Sequence, residues 1–231
     1  DKDFEKDEGE TVITGESDKN TVTIDTSGGK VDVTFDDLKI DASDKGKAAV
    51  RVEGGHDATI ELDGDNKLKS GSHNAGLEKN GNESSGKLTI KDDNDTKGSL
   101  TAKGGEGGGA GIGGGIKSTG SSITIRGGTI KAVGGSNAAG IGDGAGRATG
   151  PTDDPNPGDL YICGDAEVTA KAGSQMTDAK APAIGGKYGE VPTDALSDDE
   201  HKVTGGRLTR LNADGTVTVS YTHLTLPTIR L

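Results

Sequence analysis

The chain has no tryptophan, one cysteine, one methionine and six prolines among its 231 residues, and aromatic residues make up only 2% of it. With so few rings and 29% hydrophobic residues in all, a thick globular interior of large side chains cannot be filled. The lone Cys163 excludes an intramolecular disulfide and a cysteine-based zinc site. No apolar run approaches the ~20 residues that a membrane-spanning helix needs. Cations are in the minority: 26 Lys and Arg against 38 Asp and Glu leave a formal net charge of −12. That balance argues against nucleic acid as a partner, because phosphate binding needs clustered Lys and Arg. Sparse hydrophobicity with high charge is also the composition of disordered chains, so only a periodic pattern can argue for a fold.

Such a pattern exists, and it is carried by glycine, of which there are 41. The phrase Ala110-Gly111-Ile112-Gly113-Gly114-Gly115 returns as Ala139-Gly140-Ile141-Gly142-Asp143-Gly144 and, shortened, as Ala183-Ile184-Gly185-Gly186. Each copy follows two β-prone segments. The first alternates apolar and polar residues, as in Val31 to Phe35, Ala58 to Leu62, Leu88 to Ile90, Ile123 to Ile125 and Leu160 to Ile162; period 2 marks a half-buried strand. The second comprises Leu38 to Ile40, Leu68, Leu100 to Ala102, Ile130 to Ala132 and Val168 to Ala170, and the third Ala49 to Val52, Ala75 to Leu77 and then the glycine-rich phrases. These units are too far apart for a hairpin meander, whose strands recur every ~8–12 residues.

The expected fold is therefore all-β: a right-handed single-stranded parallel β-helix, a three-sided β-solenoid of roughly five to six coils. Glycine supplies the corners and the narrow third side around Ile112, Ile141 and Ile184. Residues 1–10 read as a charged lead, 11–186 as the β-helix domain, and 187–218 as an irregular, truncated extension that admits a hairpin about Ala213-Asp214-Gly215. Insertions are expected at corners, at Glu78 to Gly86 and at Thr149 to Gly158, projecting from one edge. Val219 to Thr228 resembles the in-frame translation of a transposon-type sequencing adapter, so 219–231 is expected to be a non-native tail. The chain starts at Asp1 without Met or signal peptide, which suggests a processed secreted protein or a fragment of a longer multidomain chain.

Units of the form Gly-x-Leu-Thr-Ile, Gly-Ser-Leu-Thr-Ala-x-Gly-Gly and Gly-Ala-Gly-Ile-Gly-Gly-Gly resemble the repeats of large adhesin-like or carbohydrate-binding β-helix surface proteins of gut bacteria. The likeness is best over Lys87 to Ile90, Gly98 to Gly105, Gly109 to Gly115 and Ser122 to Gly144. It implies a secreted or wall-attached protein with a binding or scaffolding task, its partners glycans or other cell-surface molecules. The matching residues are packing and turn residues, so the likeness implies no activity.

Catalytic signatures are weak. Polysaccharide lyases and hydrolases need clustered carboxylates with a positioned base, whereas the acids here scatter over turns, and Gly55-His56-Asp57 lacks the companions a hydrolase motif would have. A polysaccharide-degrading enzyme is the alternative to a non-catalytic structural or adhesive module. No cofactor is expected. Structural calcium would need an oxygen-rich turn, for which Asp92-Asp93-Asn94-Asp95 and Gly140 to Gly144 are the nearest approaches. Nucleotide binding is excluded by the absence of Gly-Lys-Ser/Thr opening a helix. Among the aromatics within the repeats, Phe35, Tyr161 and Tyr188, the best sugar contact is Tyr161, outward between inward Leu160 and Ile162. Outward Thr59, Thr89 and Thr124 should stack in a column one coil apart; with Tyr161 they form the candidate ligand-contact surface. A regular, flat threonine column would also suit ice.

Overall fold

The computed structural model describes residues 11–120, 122–146, 160–174, 181–186, 189–190 and 201–222. These residues form strands and turns and no helix. The chain lays down β1 (Thr11–Ser17) and β2 (Val22–Asp25), then β3 (Val31–Asp41) and β4 (Val50–Glu53), then β5 (Ala58–Lys69) and β6 (Leu77–Glu78). From there each repeat has three short strands: β7 (Leu88–Lys91), β8 (Gly98–Lys103) and β9 (Ile112–Gly113), followed by β10 (Ile123–Ile125), β11 (Thr129–Val133) and β12 (Ile141–Gly142). The next repeat holds β13 (Leu160–Ile162), β14 (Glu167–Lys171) and β15 (Ile184–Gly186), with β16 (Gly189–Glu190) beside it. Last come β17 (His201–Val203), β18 (Arg207–Leu211) and β19 (Val217–Thr222).

Among the described residues every strand but β16 and β19 pairs in parallel with its counterpart one repeat away; those two add antiparallel to β15 and β18. Along one face the register runs Val31–Ala58–Leu88–Ile123–Leu160–His201. A second face aligns Ile40, Leu68, Ala102, Ala132, Ala170 and Arg210. The third, in a separate seven-stranded sheet, aligns Val50, Leu77, Ile112, Ile141 and Ile184.

The first two faces belong to one curled sheet because β5 serves both: its residues 58–61 pair with β7 and its residues 64–69 with β8. The sequence reads the two segments of each repeat as separate strands, yet β3 and β5 run through both without interruption. The bend is made by bulges, with register shifts after Thr14 and after Asp36. There the backbone turns left-handed at Gly15, Asp37 and Gly64 (φ 105°, 49° and 63°), and such bulges bend a strand while keeping it in its sheet. At Asp37, a non-glycine residue, the side chain helps hold the corner by accepting a hydrogen bond from the Asp65 amide (2.8 Å).

Alternation then sorts the side chains. Inward positions such as Ile60, Ile90, Ile125 and Ile162 are fully buried (0% exposed), each lying ~4.8 Å from its counterpart in the neighbouring repeat. This column packing lets few and small apolar residues make one continuous core. The repeated glycine phrase has a more specific cause than a narrow side. The residue after the buried isoleucine adopts φ 129°, 131° and 132° at Gly113, Gly142 and Gly185, a region L side chains avoid.

Beyond Gly186, where an irregular extension was expected, β17 and β18 continue the parallel stack on β13 and β14. The hairpin is present, and it runs through Thr222. Main-chain pairing of this kind is indifferent to the origin of the residues that make it. The segment Glu78 to Gly86 does not project as expected: Glu78, Lys79, Asn80 and Ser84 are buried. The lead 1–10, the insertion 149–158 and Tyr188 lie outside the described residues.

Candidate ligand-contact face

The first face carries its outward side chains in columns, and the candidate residues share one of them. Thr59 pairs with Thr89, Thr89 with Thr124, and Thr124 with Tyr161. Each sits half-buried between two buried apolar neighbours, as in Leu160-Tyr161-Ile162. Asp32 extends the column beyond Thr59. Beside it runs a second column, in which Thr34 pairs with Glu61 and Glu61 with Lys91.

Together the columns floor an open groove of about 810 Å³ that takes in Thr59, Thr89, Lys87 and Arg126. A smaller hollow of about 320 Å³ adjoins it at Thr124 and Tyr161, sharing Asp57 and Lys87. Phe35, also considered as an aromatic contact, is completely buried, because it occupies an inward position of β3.

The carboxylates of the groove are committed. Lys91 Nζ lies 2.6 Å from Glu61 Oε2 and 2.6 Å from Asp93 Oδ1, and the Asp93 amide donates to Glu61 Oε1 (3.0 Å). The hydrogen bond from Lys91 holds the Asp93 carboxyl below its ordinary range against slight desolvation. The same contacts, to Asp93 and then Glu61, raise the Lys91 ammonium. At Asp32 partial burial pushes the carboxyl up, but hydrogen bonds from Thr59 and Lys30 outweigh it and leave the group lowered. Asp57 accepts from the Lys87 amide (2.8 Å). An acid catalyst needs a carboxyl kept protonated near neutrality; Asp32 and Asp93 are shifted the opposite way.

The acidic turn disperses its ligating groups. Asp92 accepts from the Gly98 amide (3.1 Å), Asp93 pairs with Lys91, and the Asn94 amide donates to Asp63 (2.6 Å). Among the described residues no three His, Cys, Asp or Glu side chains converge as a metal-binding group. Asp143, in the second approach to a calcium loop, is buried and accepts from the Gly120 amide (3.0 Å). His56 is exposed, its Nδ1 donating to the Thr26 carbonyl (2.7 Å).

No family model, curated protein or solved structure matches the chain.

The face is therefore read from its own chemistry: small hydroxyls and one phenol in line, with ion pairs beside them. The threonine run gives way to Asp32 at one end and Tyr161 at the other, which breaks the regularity that an ice-matching surface would need.

A polar cluster on the third face had no sequence signal beyond its place in a supposed loop. Glu78 is 1% exposed and pairs with Arg51 Nη2 at 2.7 Å. It also accepts from the Ala75 amide (2.9 Å). Burial raises its carboxyl above the ordinary value, and the Ala75 and Arg51 contacts oppose this only partly. Next to it Lys79 is 0% exposed, with Nζ donating to the Ser84 carbonyl (3.1 Å). The Arg51 pair, and the Gly115 amide donating to Asn80 Oδ1 (2.8 Å), tie the insertion to the stack.

Proposed function

We propose that the chain is a right-handed, three-sided parallel β-helix acting as a non-catalytic structural and adhesive module of a bacterial surface protein. In this reading it contacts glycans through its first face. The handedness rests on the strong preference for right-handed crossovers between parallel strands. The extracellular, wall-attached setting rests on the resemblance of the repeats. The observation that carries the binding role is the in-register column Thr59–Thr89–Thr124–Tyr161 along an open groove and the hollow that adjoins it. Sugar rings combine an apolar face with hydroxyls, so a phenol ring that offers stacking area, set next to hydroxyls that both donate and accept, suits them. Degradation of a polysaccharide is the less supported role, because the carboxylates at Asp32 and Asp93 are stabilised in their ionised form.

A glycan array probed with the full chain tests this. Selective binding to a subset of neutral or weakly charged glycans is expected, and Tyr161→Ala should weaken it about ten-fold or more, the equivalent of ~1.4 kcal/mol. Binding unaffected by Tyr161→Ala and by Thr89→Val would remove the column from the interaction. Release of reducing ends from a bound polysaccharide would turn the assignment to an enzyme.

A further inference from the structure

The second face bears a feature that a chain of net charge −12 does not lead one to expect. From β3 to β14 every strand of this face contributes an outward lysine: Lys39, then Lys67 and Lys69, then Lys103, Lys131 and Lys171. They occupy two adjacent columns. In the first, Lys39 lies beside Lys67, which is followed by Thr101 and Lys131; in the second, Lys69 lies beside Lys103, followed by Val133 and Lys171. Like charges directly opposite one another in a sheet are destabilising, so this arrangement is held at a cost to the fold.

Local acids offset the charge at the two ends, Asp214 acting on Lys171 at the far one. Lys67 pairs with Asp65, and Lys69 with Asp41 at 3.0 Å; Glu167 faces Arg207 at 3.9 Å. Among the described residues Lys103 and Lys131 have no ion pair, and both are exposed. The result is a cationic track along the stacking axis, one step every ~4.8 Å, on a chain of net charge −12.

We propose that this track binds a linear acidic polysaccharide, a polyuronate with one carboxylate per sugar, laid along the stack with its carboxylates over Lys103, Lys131 and Lys171. Charge complementarity selects an anionic polymer. The overall negative charge of the protein selects against the densest ones, such as duplex DNA with a charge every ~1.7 Å. The track is a different face from the threonine column and does not depend on the glycan contact proposed for it.

Calorimetric titration with polygalacturonate, dextran and duplex DNA decides the matter. Expected are binding to polygalacturonate at about 50 mM NaCl, a several-fold loss at about 200 mM, and no binding to dextran. The double variant Lys103→Gln/Lys131→Gln should bind about ten-fold more weakly, whereas Lys117→Gln, at an exposed lysine in the turn after β9, should stay within about two-fold of the parent. If the double variant fails to fold, Lys103→Gln and Lys131→Gln singly should each lose about three-fold. Absence of polygalacturonate binding at low salt, equal binding of dextran, DNA binding as tight as polygalacturonate, or affinity indifferent to the lysine variants would each overturn the proposal.

Discussion

Replacing Gly113 by alanine is expected to destabilise the protein by about 3–5 kcal/mol, while Gly28→Ala changes stability by no more than about 0.5 kcal/mol. Both are glycine-to-alanine changes, so their difference isolates the local environment from the entropy of the unfolded chain. Gly113 sits in β9 at φ 129°, where an added Cβ would run into the carbonyl oxygen of Gly142 in the next repeat. Left-handed or otherwise sparse backbone conformations cost a non-glycine residue about 1–3 kcal/mol. The collision adds to this because its partner is main chain held in the stack and cannot rotate away. Gly28 has open space around its Cβ direction and no positive φ. Urea unfolding midpoints of the two variants measure the contrast. Equal midpoints would mean that the third face yields easily and that the repeated glycine phrase has another cause.

Lys79→Met is expected to stabilise the protein at neutral pH by about 1–2 kcal/mol, an advantage that disappears in strong alkali. The Lys79 ammonium is buried with no carboxylate partner among the described residues, its Nζ donating to the Ser84 carbonyl, and burial lowers its pKa from 10.5 to about 8 despite the attraction of Asp57. A lowered folded pKa means that between about pH 8 and 10.5 the unfolded chain holds a proton that the native chain has released. Stability therefore rises with pH across that window. Below it the native state bears the full penalty of a buried charge, about 3 kcal/mol for a shift of this size. Methionine fills similar volume without charge, and the lost hydrogen bond of about 1 kcal/mol offsets part of the gain. Unfolding measured at pH 7 and near pH 10 should show the parent gaining on the variant as pH rises. A constant difference between the two proteins would show that Lys79 is not the titrating group.

The strand segments were legible in the sequence because the periodicity that specifies them is local. Alternation in Ile123-Thr124-Ile125 and Leu160-Tyr161-Ile162 states which side chains point inward without reference to a partner strand. Aligning such segments also placed Thr59, Thr89 and Thr124 in one column, since repeats that stack bring like positions together, and the structure adds Tyr161 to it. The bent strands β3 and β5 were misread as separate pieces, because Asp37 looks like a turn residue and the bulge that keeps it in the sheet depends on pairing with Asp65.

Other features have no local signature. The pairing of Lys91 with Glu61 spans adjacent repeats of unequal length. So does the lysine track, whose members fall at irregular intervals in the chain and align only once register is known. Burial of Lys79 contradicts its residue type and follows from the fold of the insertion around it.

By itself the sequence determined that the protein is all-β, which side chains face inward, and where glycine is required, since these follow from side-chain period and backbone sterics within a few residues. The tertiary structure alone decided which charges are neutralised, which lysines share a face, and which polar groups are buried. Those depend on which residues lie one repeat away, a distance of a few ångströms in space and of tens of residues along the chain.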